Sequence, residues 1–448
     1  MDLKGKNVIV VGLGKSGVAA ALLCHERGAQ VLGNDSAPLE KWSPQAKALA
    51  GRGIKTVAGT HRGVGFERAA LVVVSPGVPA LPELERALAS GAEVVGELEL
   101  AFRHYEGEPV VAVGGTNGKS TTTTLVGELL SAGGEKVFTG GNLGRPAAEA
   151  VDGEFDAVVL EVSSFQLERA PSFRPKVSVL LNVTEDHLDR YPSFTAYAEA
   201  KGNAFVNQSA DDVAVVPFGD ALCEEQARRG KGRLVFFGTA GDYVVDGSTV
   251  LESASGERYD LSKTRLHGTH NYLNAAAAIA AVRALGLSAD SVRLGLSRFE
   301  PLPHRMALAG EIAGVRFYDD SKGTNVGASV TALSGLREAK GVLIAGGRDK
   351  LGAYEPLVAA LRDKGRAVVL IGEAADRIAQ AVGGALPVTR AANMPEAVKL
   401  AFEAAQPGDA VLLSPACSSF DMFKSYAERG DRFVEAVRDL AQARKASS

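Results

Sequence analysis

The chain has 448 residues, of which 46% are hydrophobic and 23% charged, and a formal net charge of −4. That length is too great for one core and suits roughly two to four domains. The near balance of charge leaves no basic field for a nucleic-acid partner. Three widely spaced cysteines, Cys24, Cys223 and Cys417, argue against a disulfide framework and for a reducing, cytoplasmic setting.

The first apolar stretch, residues 8–11, is too short for a signal-peptide core and runs straight into glycines. It reads as a strand, followed by strands at 30–33 and 71–74, in a βαβ rhythm. After the first strand, Gly12-Leu13-Gly14-Lys15-Ser16-Gly17 matches G-x-G-x-x-G. Asp35 follows about 20 residues on, where a dinucleotide fold places its ribose-binding acid. Glycines let the backbone approach a pyrophosphate, and a helix N-terminus supplies amide donors. Any nucleotide diphosphate meets that geometry. NAD, a UDP-sugar and a turn with no ligand therefore all stay open on these residues.

A polar, glycine-bearing segment at 103–109 precedes a fresh strand at 110–113, which opens a second unit. This strand runs into Gly114-Gly115-Thr116-Asn117-Gly118-Lys119-Ser120-Thr121 and a helix-compatible stretch at 122–131. Strand, glycine loop, Gly-Lys-Ser and helix make a phosphate-binding loop, with the lysine for terminal phosphates and the hydroxyl for Mg²⁺. The strict pattern wants glycine at position 113, where this chain has Val113. Glu161 directly follows the apolar strand 157–160, at the strand end where parallel sheets gather ligands. It is either a Mg²⁺ ligand or a solvated strand-end acid. After a strand at 177–181 come Glu185, Asp186, His187 and Asp189, a second candidate metal cluster. Lys201, in a helical stretch, reads as an exposed surface lysine.

Short alternating runs between 242 and 261 predict a small antiparallel insert, and a long helix is expected at 270–285. Its alanine-rich tract at 275–282, the longest apolar run, falls short of a membrane span. Prolines near 299–304 mark a linker, after which the βα rhythm returns from Val315 with strands at 341–345, 367–371 and 410–413.

Six motifs together resemble the Mur ligases, a family that includes folylpolyglutamate synthetase. They are the run Gly115 to Ser120, the run Glu161 to Leu167, Glu185-Asp186-His187-Leu188-Asp189, His270-Asn271-Tyr272-Leu273-Asn274-Ala275, Leu302-Pro303-His304-Arg305, and Asp319-Asp320-Ser321-Lys322-Gly323-Thr324-Asn325. They stand in the family's order along the whole chain. The resemblance implies three α/β domains: a Rossmann-like UDP-sugar domain at 1–96, a central P-loop ATPase-type domain at 97–302, and a Rossmann-like amino-acid domain at 303–448. It implies an ATP-dependent, Mg²⁺-requiring ligase that makes an amide through an acyl phosphate. Ser321 to Asn325 and Ser414-Pro415-Ala416-Cys417-Ser418-Ser419-Phe420-Asp421 point within the family to D-glutamate, added to UDP-N-acetylmuramoyl-L-alanine. A cytoplasmic monomer is expected.

Residue roles follow from the same resemblance. Gly115, Thr116, Asn117, Gly118, Lys119, Ser120 and Thr121 would cradle ATP, with Lys119 on the γ-phosphate. Ser120 and Glu161 would hold one Mg²⁺, His187 and a carbamylated Lys201 a second. Asn271 and Asn274 would meet adenine, although Asn271 also suits a helix cap. Arg305 would contact phosphate and Asp320 the ribose. Thr324, Lys350, Ser419 and the backbone near Tyr426 would bind D-glutamate, with Arg348 a rival to Lys350. Gly14, Lys15, Ser16, Asp35, Ser36, Ser75 and Gly77 would face the UDP portion, and Asn142 the muramoyl group. A sister ligase or folylpolyglutamate synthetase, with another amino acid or acceptor, stays open, and an NAD-dependent dehydrogenase would leave the phosphate loop unexplained.

Overall fold

Val10, Val11 and the run Leu71–Val74 are almost wholly buried, without the polar alternation of a one-sided sheet. Such runs suit strands covered on both faces, as in parallel α/β sheets. The computed structural model describes residues 1–187, 190–266, 268–349 and 353–446. They form two compact units. Met1–Val183, Tyr197–Thr264 and Leu273–Phe299 make the first, and Thr184–Ala196, Arg265–Tyr272 and Glu300–Ser448 the second.

The first unit holds two sheets. One has five parallel strands in the order Lys55–Ala58, Gln30–Asp35, Asn7–Val11, Leu71–Val74, Glu93–Gly96. The chain order reverses beside Asn7–Val11, so the glycine loop leaves the sheet at its topological switch point. The other sheet has nine strands, and Val110–Gly114 lies inside it, between Val177–Leu180 and Ala157–Glu161. Val137–Gly141 closes one edge. On the other side Val213–Pro217, Arg233–Gly238 and Tyr243–Asp246 continue in parallel. Thr249–Glu252 and Arg258–Asp260 then fold back antiparallel, as the alternating pattern predicts.

A single apolar core runs between these two sheets, with Leu98, Leu100 and Phe173 in it. The rings of Phe102 and Phe173 meet edge-on at 5.3 Å. Two acids on the short helix Glu97–Phe102 are buried in the same seam. Glu97 Oε1 accepts the Ala148 amide at 2.6 Å. Glu99 accepts the Ser172 amide at 3.1 Å and Arg103 Nε at 2.6 Å. Burial, with the nearby Glu149 charge adding to it, pushes the Glu97 carboxyl up to about 7.

The second unit carries a six-stranded sheet in the order Ala307–Ile312, Val315–Asp319, Ala410–Leu413, Gly341–Gly346, Gly365–Ile371, Val388–Arg390. Only the first pair is antiparallel. The expected long helix is Thr269–Ala284. Among the described residues no helix is long and apolar enough to cross a membrane.

Candidate functional site

The phosphate loop begins where the strand Val110–Gly114 ends and stops at the helix Lys119–Ala132. Gly118 caps that helix at φ 85°, a left-handed conformation that costs glycine little. A Cβ there would also collide with Oδ1 of Asn274. Two demands thus converge on one residue, and Asn274 is placed directly over the loop. Lys119 lies half-buried in the first helical turn, and its ammonium donates to the carbonyls of Gly115 at 2.9 Å and Thr116 at 2.7 Å. Thr116, Ser120 and Thr121 are buried. The helix start adds amide donors and a positive dipole end.

Glu161 is the last residue of Ala157–Glu161 and pairs in register with Val113, one residue before the loop. It is 2% exposed, and its Oε1 accepts Asn142 Nδ2 at 2.6 Å. The solvated strand-end alternative therefore fails. Asn142, expected at the muramoyl group, is engaged by the Glu161 carboxylate in this arrangement. Lys201 overturns its sequence reading more sharply, being buried and not exposed. Its ammonium donates to the Gly115 carbonyl at 2.8 Å and lies 4.4 Å from the Tyr197 ring centre. The Ser120 hydroxyl and the Glu161 carboxylate are hard oxygen donors of the kind Mg²⁺ takes, so this corner fits that ion. Lys201 as an ammonium does not fit it, and only its carbamate would.

Two residues beyond the sequence motifs hold the loop. The Asn182 side chain exchanges hydrogen bonds with the Asn117 backbone, at 2.9 Å to the amide and 3.1 Å to the carbonyl. Tyr197 places its hydroxyl 3.3 Å from Thr116 Oγ1. Position after an apolar strand was a signal for Asn182; none marked Tyr197.

At the first sheet, Gly14 caps the helix Lys15–Glu26, with Lys15 exposed and Ser16 half-buried. Gly17 packs so close to the loop that a Cβ would strike the Gly12 carbonyl, which explains the third glycine of the motif. Asp35 accepts the Leu13 amide at 2.7 Å and the Ala37 amide at 2.8 Å. Ser75 donates to the Gly12 carbonyl at 2.6 Å. Both are thus brought to the glycine loop as its supports. Ser36 and Gly77 are exposed near the same strand ends.

The second unit gathers its own set. Asp320 is buried, and its Oδ2 accepts the Ser414 hydroxyl at 2.7 Å. Burial pushes this carboxyl up to about 7, against the pull of the Ser414 hydrogen bond and the Arg305 charge. Ala416, itself at φ 59°, donates its amide to the Gly323 carbonyl at 2.9 Å. The segments carrying Thr324 and Ser419 are therefore laced together. Arg429, fully buried, donates to Ser321 Oγ at 3.0 Å and to the Cys417 carbonyl at 3.1 Å. Ser419 is buried, while the Tyr426 ring meets the Lys322 ammonium at 3.9 Å. Ser321 Oγ donates to the Tyr426 carbonyl at 2.8 Å. His187 adopts φ 55° in the second unit, its amide bonded to Asp186 Oδ1 at 3.0 Å. Asp186 Oδ2 accepts Asn325 Nδ2 at 3.2 Å. A cavity of about 260 Å³ opens among His187, Asn325, Val330, Asp349, Tyr354 and Ala416. Asn271 lies inside the first turn of Thr269–Ala284, so it is not the helix cap. Lys350 lies outside the described residues.

Three domain families match the chain in succession. These are the MurD-like N-terminal domain of Mur ligases at residues 6–96, the Mur ligase middle domain at 113–282, and the Mur ligase glutamate ligase domain at 304–417. Among curated relatives, a protein of Geobacter metallireducens named UDP-N-acetylmuramoylalanine–D-glutamate ligase is 44% identical, over 98% of this chain and 99% of its own. One of the same name from Trichlorobacter lovleyi is 45% identical, over 98% and 100%. Among solved structures, UDP-N-acetylmuramate–alanine ligase MurC from Thermotoga maritima aligns with a TM-score of 0.62 at 21% identity, over 97% of this chain and 99% of that one. MurF ligase from the same organism, in complex with ADP, gives 0.60 at 19%, over 99% and 96%. The chain belongs to the Mur ligase family, and its fold is the three-domain α/β fold of that family.

Proposed function

We propose that this Mur ligase adds D-glutamate to UDP-N-acetylmuramoyl-L-alanine, consuming ATP and releasing ADP and phosphate. The observation that most supports the chemistry is Glu161, buried in register beside the phosphate loop. The substrate reading rests on full-length relatives that carry the D-glutamate ligase name. We divide the chain at 96 and 302 into UDP-substrate, ATP and amino-acid domains, and assign it to the cytoplasm as a monomer.

A carboxylate at neutral pH is a poor electrophile, so the L-alanyl carboxylate must be activated first. One of its oxygens bonds the γ-phosphorus as the bond to ADP breaks, giving an acyl phosphate. The amine of D-glutamate then attacks the carbonyl carbon, and phosphate leaves from the tetrahedral intermediate. Lys119 meets the charge of the γ-phosphate, and the loop amides orient the triphosphate. Ser120 and Glu161 would hold Mg²⁺, with His187 and carbamylated Lys201 at a second ion. Mg²⁺ there would neutralise charge between two anions that otherwise repel. Asn271 and Asn274 serve adenine, Arg305 a phosphate and Asp320 the ribose. Thr324, Lys350, Ser419 and the backbone near Tyr426 receive the glutamate carboxylates. Gly14, Lys15, Ser16, Asp35, Ser36, Ser75, Gly77 and Asn142 form the UDP-substrate site, Asp35 and Ser75 chiefly by shaping its loop.

The test is phosphate release from ATP and Mg²⁺ with UDP-N-acetylmuramoyl-L-alanine, comparing D-glutamate, L-glutamate and no amino acid. Release that needs D-glutamate, with a product heavier by one glutamyl residue, is expected. Silence with all three would move the substrate to a sister ligase and remove the third-domain assignments.

A further inference from the structure

Three parallel strands end level with one another in the nine-stranded sheet. Glu161 pairs with Val113 on one side and with Gly141 on the other. Gly114 and the phosphate loop follow Val113, and Asn142 follows Gly141, so loop and asparagine emerge on either side of the acid. Gly141 turns the chain at φ 81°, and a Cβ there would strike the Glu161 carbonyl. The turn is closed by the Gly141 amide on the Arg145 carbonyl at 2.6 Å and the Gly144 amide on the Gly141 carbonyl at 3.2 Å.

Asn142 is bound to Glu161 twice. Its main-chain amide donates to the Glu161 carbonyl at 2.8 Å, and its side-chain amide to Glu161 Oε1 at 2.6 Å. The partners differ in their surroundings, since Glu161 is 2% exposed while Asn142 lies on the surface. Among the described residues the Asn142 side chain makes no other hydrogen bond. An exposed amide can be served by water, so the bond matters chiefly to the acid. A carboxylate taken out of water needs donors, and a side chain with three rotatable bonds needs something to fix it. A lysine or arginine at position 142 would do both, but its charge would offset that of the carboxylate. The asparagine amide is a neutral donor, so it holds the carboxylate and leaves the negative charge to attract a cation.

We propose that Asn142 is a positioning residue for Mg²⁺ that acts through Glu161, its side-chain amide fixing the carboxylate that would receive the ion. This duty is separate from the contact with the muramoyl group assigned above, and it operates before that substrate arrives. The inference rests on the reading of Glu161 as a Mg²⁺ ligand.

The experiment is a Mn²⁺ titration followed by the EPR signal of the free ion, with the chain in excess over a non-hydrolysable ATP analogue. No UDP-substrate is present, so the muramoyl contact plays no part in the measurement. Wild type, Asn142→Ala, Glu161→Ala and the double variant are compared, each also for its melting temperature and its affinity for the analogue in EDTA. Loss of a partner that orients a metal-binding carboxylate predicts a Mn²⁺ affinity about ten- to a hundredfold lower in Asn142→Ala. Its affinity for the analogue in EDTA stays within about twofold of wild type. The double variant binds Mn²⁺ no more weakly than Glu161→Ala, because the asparagine acts only through the acid. A merely structural role would lower the melting temperature and weaken the analogue equally in EDTA, and that result overturns the proposal. Additive losses in the double variant overturn it as well. A Glu161→Ala variant that binds Mn²⁺ like wild type removes the Mg²⁺ reading and the inference together. Binding that needs Glu161, beside an unchanged Mn²⁺ affinity in Asn142→Ala, removes the inference alone.

Discussion

Asn182 and Asn117 are joined twice, side-chain oxygen to amide at 2.9 Å and side-chain amide to carbonyl at 3.1 Å. The pair fixes the tip of the phosphate loop to the end of the strand Val177–Leu180, as a backbone ladder would. Asn182→Ala leaves the Asn117 amide without this partner and lets the tip move. The expected result is a KM for ATP about five- to tenfold higher, with KM for the amino acid unchanged. Equal KM values for ATP in the two proteins would count against a loop-fixing role.

Lys119→Ala removes the cation proposed above to meet the terminal phosphate. Ligation should fall by roughly three orders of magnitude or more, in line with the loss of a main electrostatic contact to a transferring phosphoryl group. The melting temperature should change little, because the residue is only half-buried and its hydrogen bonds to Gly115 and Thr116 lie within the loop itself. Turnover near the wild-type rate would remove the ATP site from this loop.

Glu161→Gln keeps the shape and an acceptor for Asn142 but removes the charge. Half-saturation by Mg²⁺ should rise about tenfold or more, because this ion prefers anionic oxygen. A titration of activity against Mg²⁺ at saturating substrates measures it. An unchanged midpoint would take Glu161 out of the ion's surroundings.

Glu97 makes stability depend on pH. Its carboxyl is held at about 7 in the folded chain, above the ordinary value of 4.5. The native state therefore keeps a proton that the unfolded chain has lost, and stability falls as pH rises through that window. Glu97→Gln should melt higher than wild type at pH 8, by on the order of 2 kcal/mol in stability, with the gap closing toward pH 5. Melting curves that run parallel across the range would show that Glu97 ionises normally.

What the sequence made legible was local. The phosphate loop is written in consecutive residues, since the spacing of Gly115, Gly118 and Lys119 is itself the geometry of the turn. Glu161 was legible because a strand end is a readable place. Lys201 was not: in the helix Phe194–Gly202 its burial depends on Gly115, which lies 86 residues away in sequence. Tyr197 escaped for the same reason, its partner Thr116 being 81 residues distant. Short strands such as Glu93–Gly96 and Val388–Arg390 carry a charged end and too few apolar residues to stand out. The sheet orders, and the gathering of the Asp320, Ser414 and Arg429 segments, are set by tertiary packing that no short window contains.

The clamp of Asp35 on the glycine loop has a thermodynamic consequence. Its carboxylate reaches the Leu13 amide from the neighbouring strand, and Ser75 grips Gly12 from the other side. The loop is thereby given its shape when the sheet folds. On the proposed reading, a diphosphate bound there finds the loop already shaped, and its affinity is not diminished by the entropy of ordering that backbone. Calorimetry should accordingly return a smaller entropic penalty for a uridine diphosphate on this chain than on an Asp35→Ala variant.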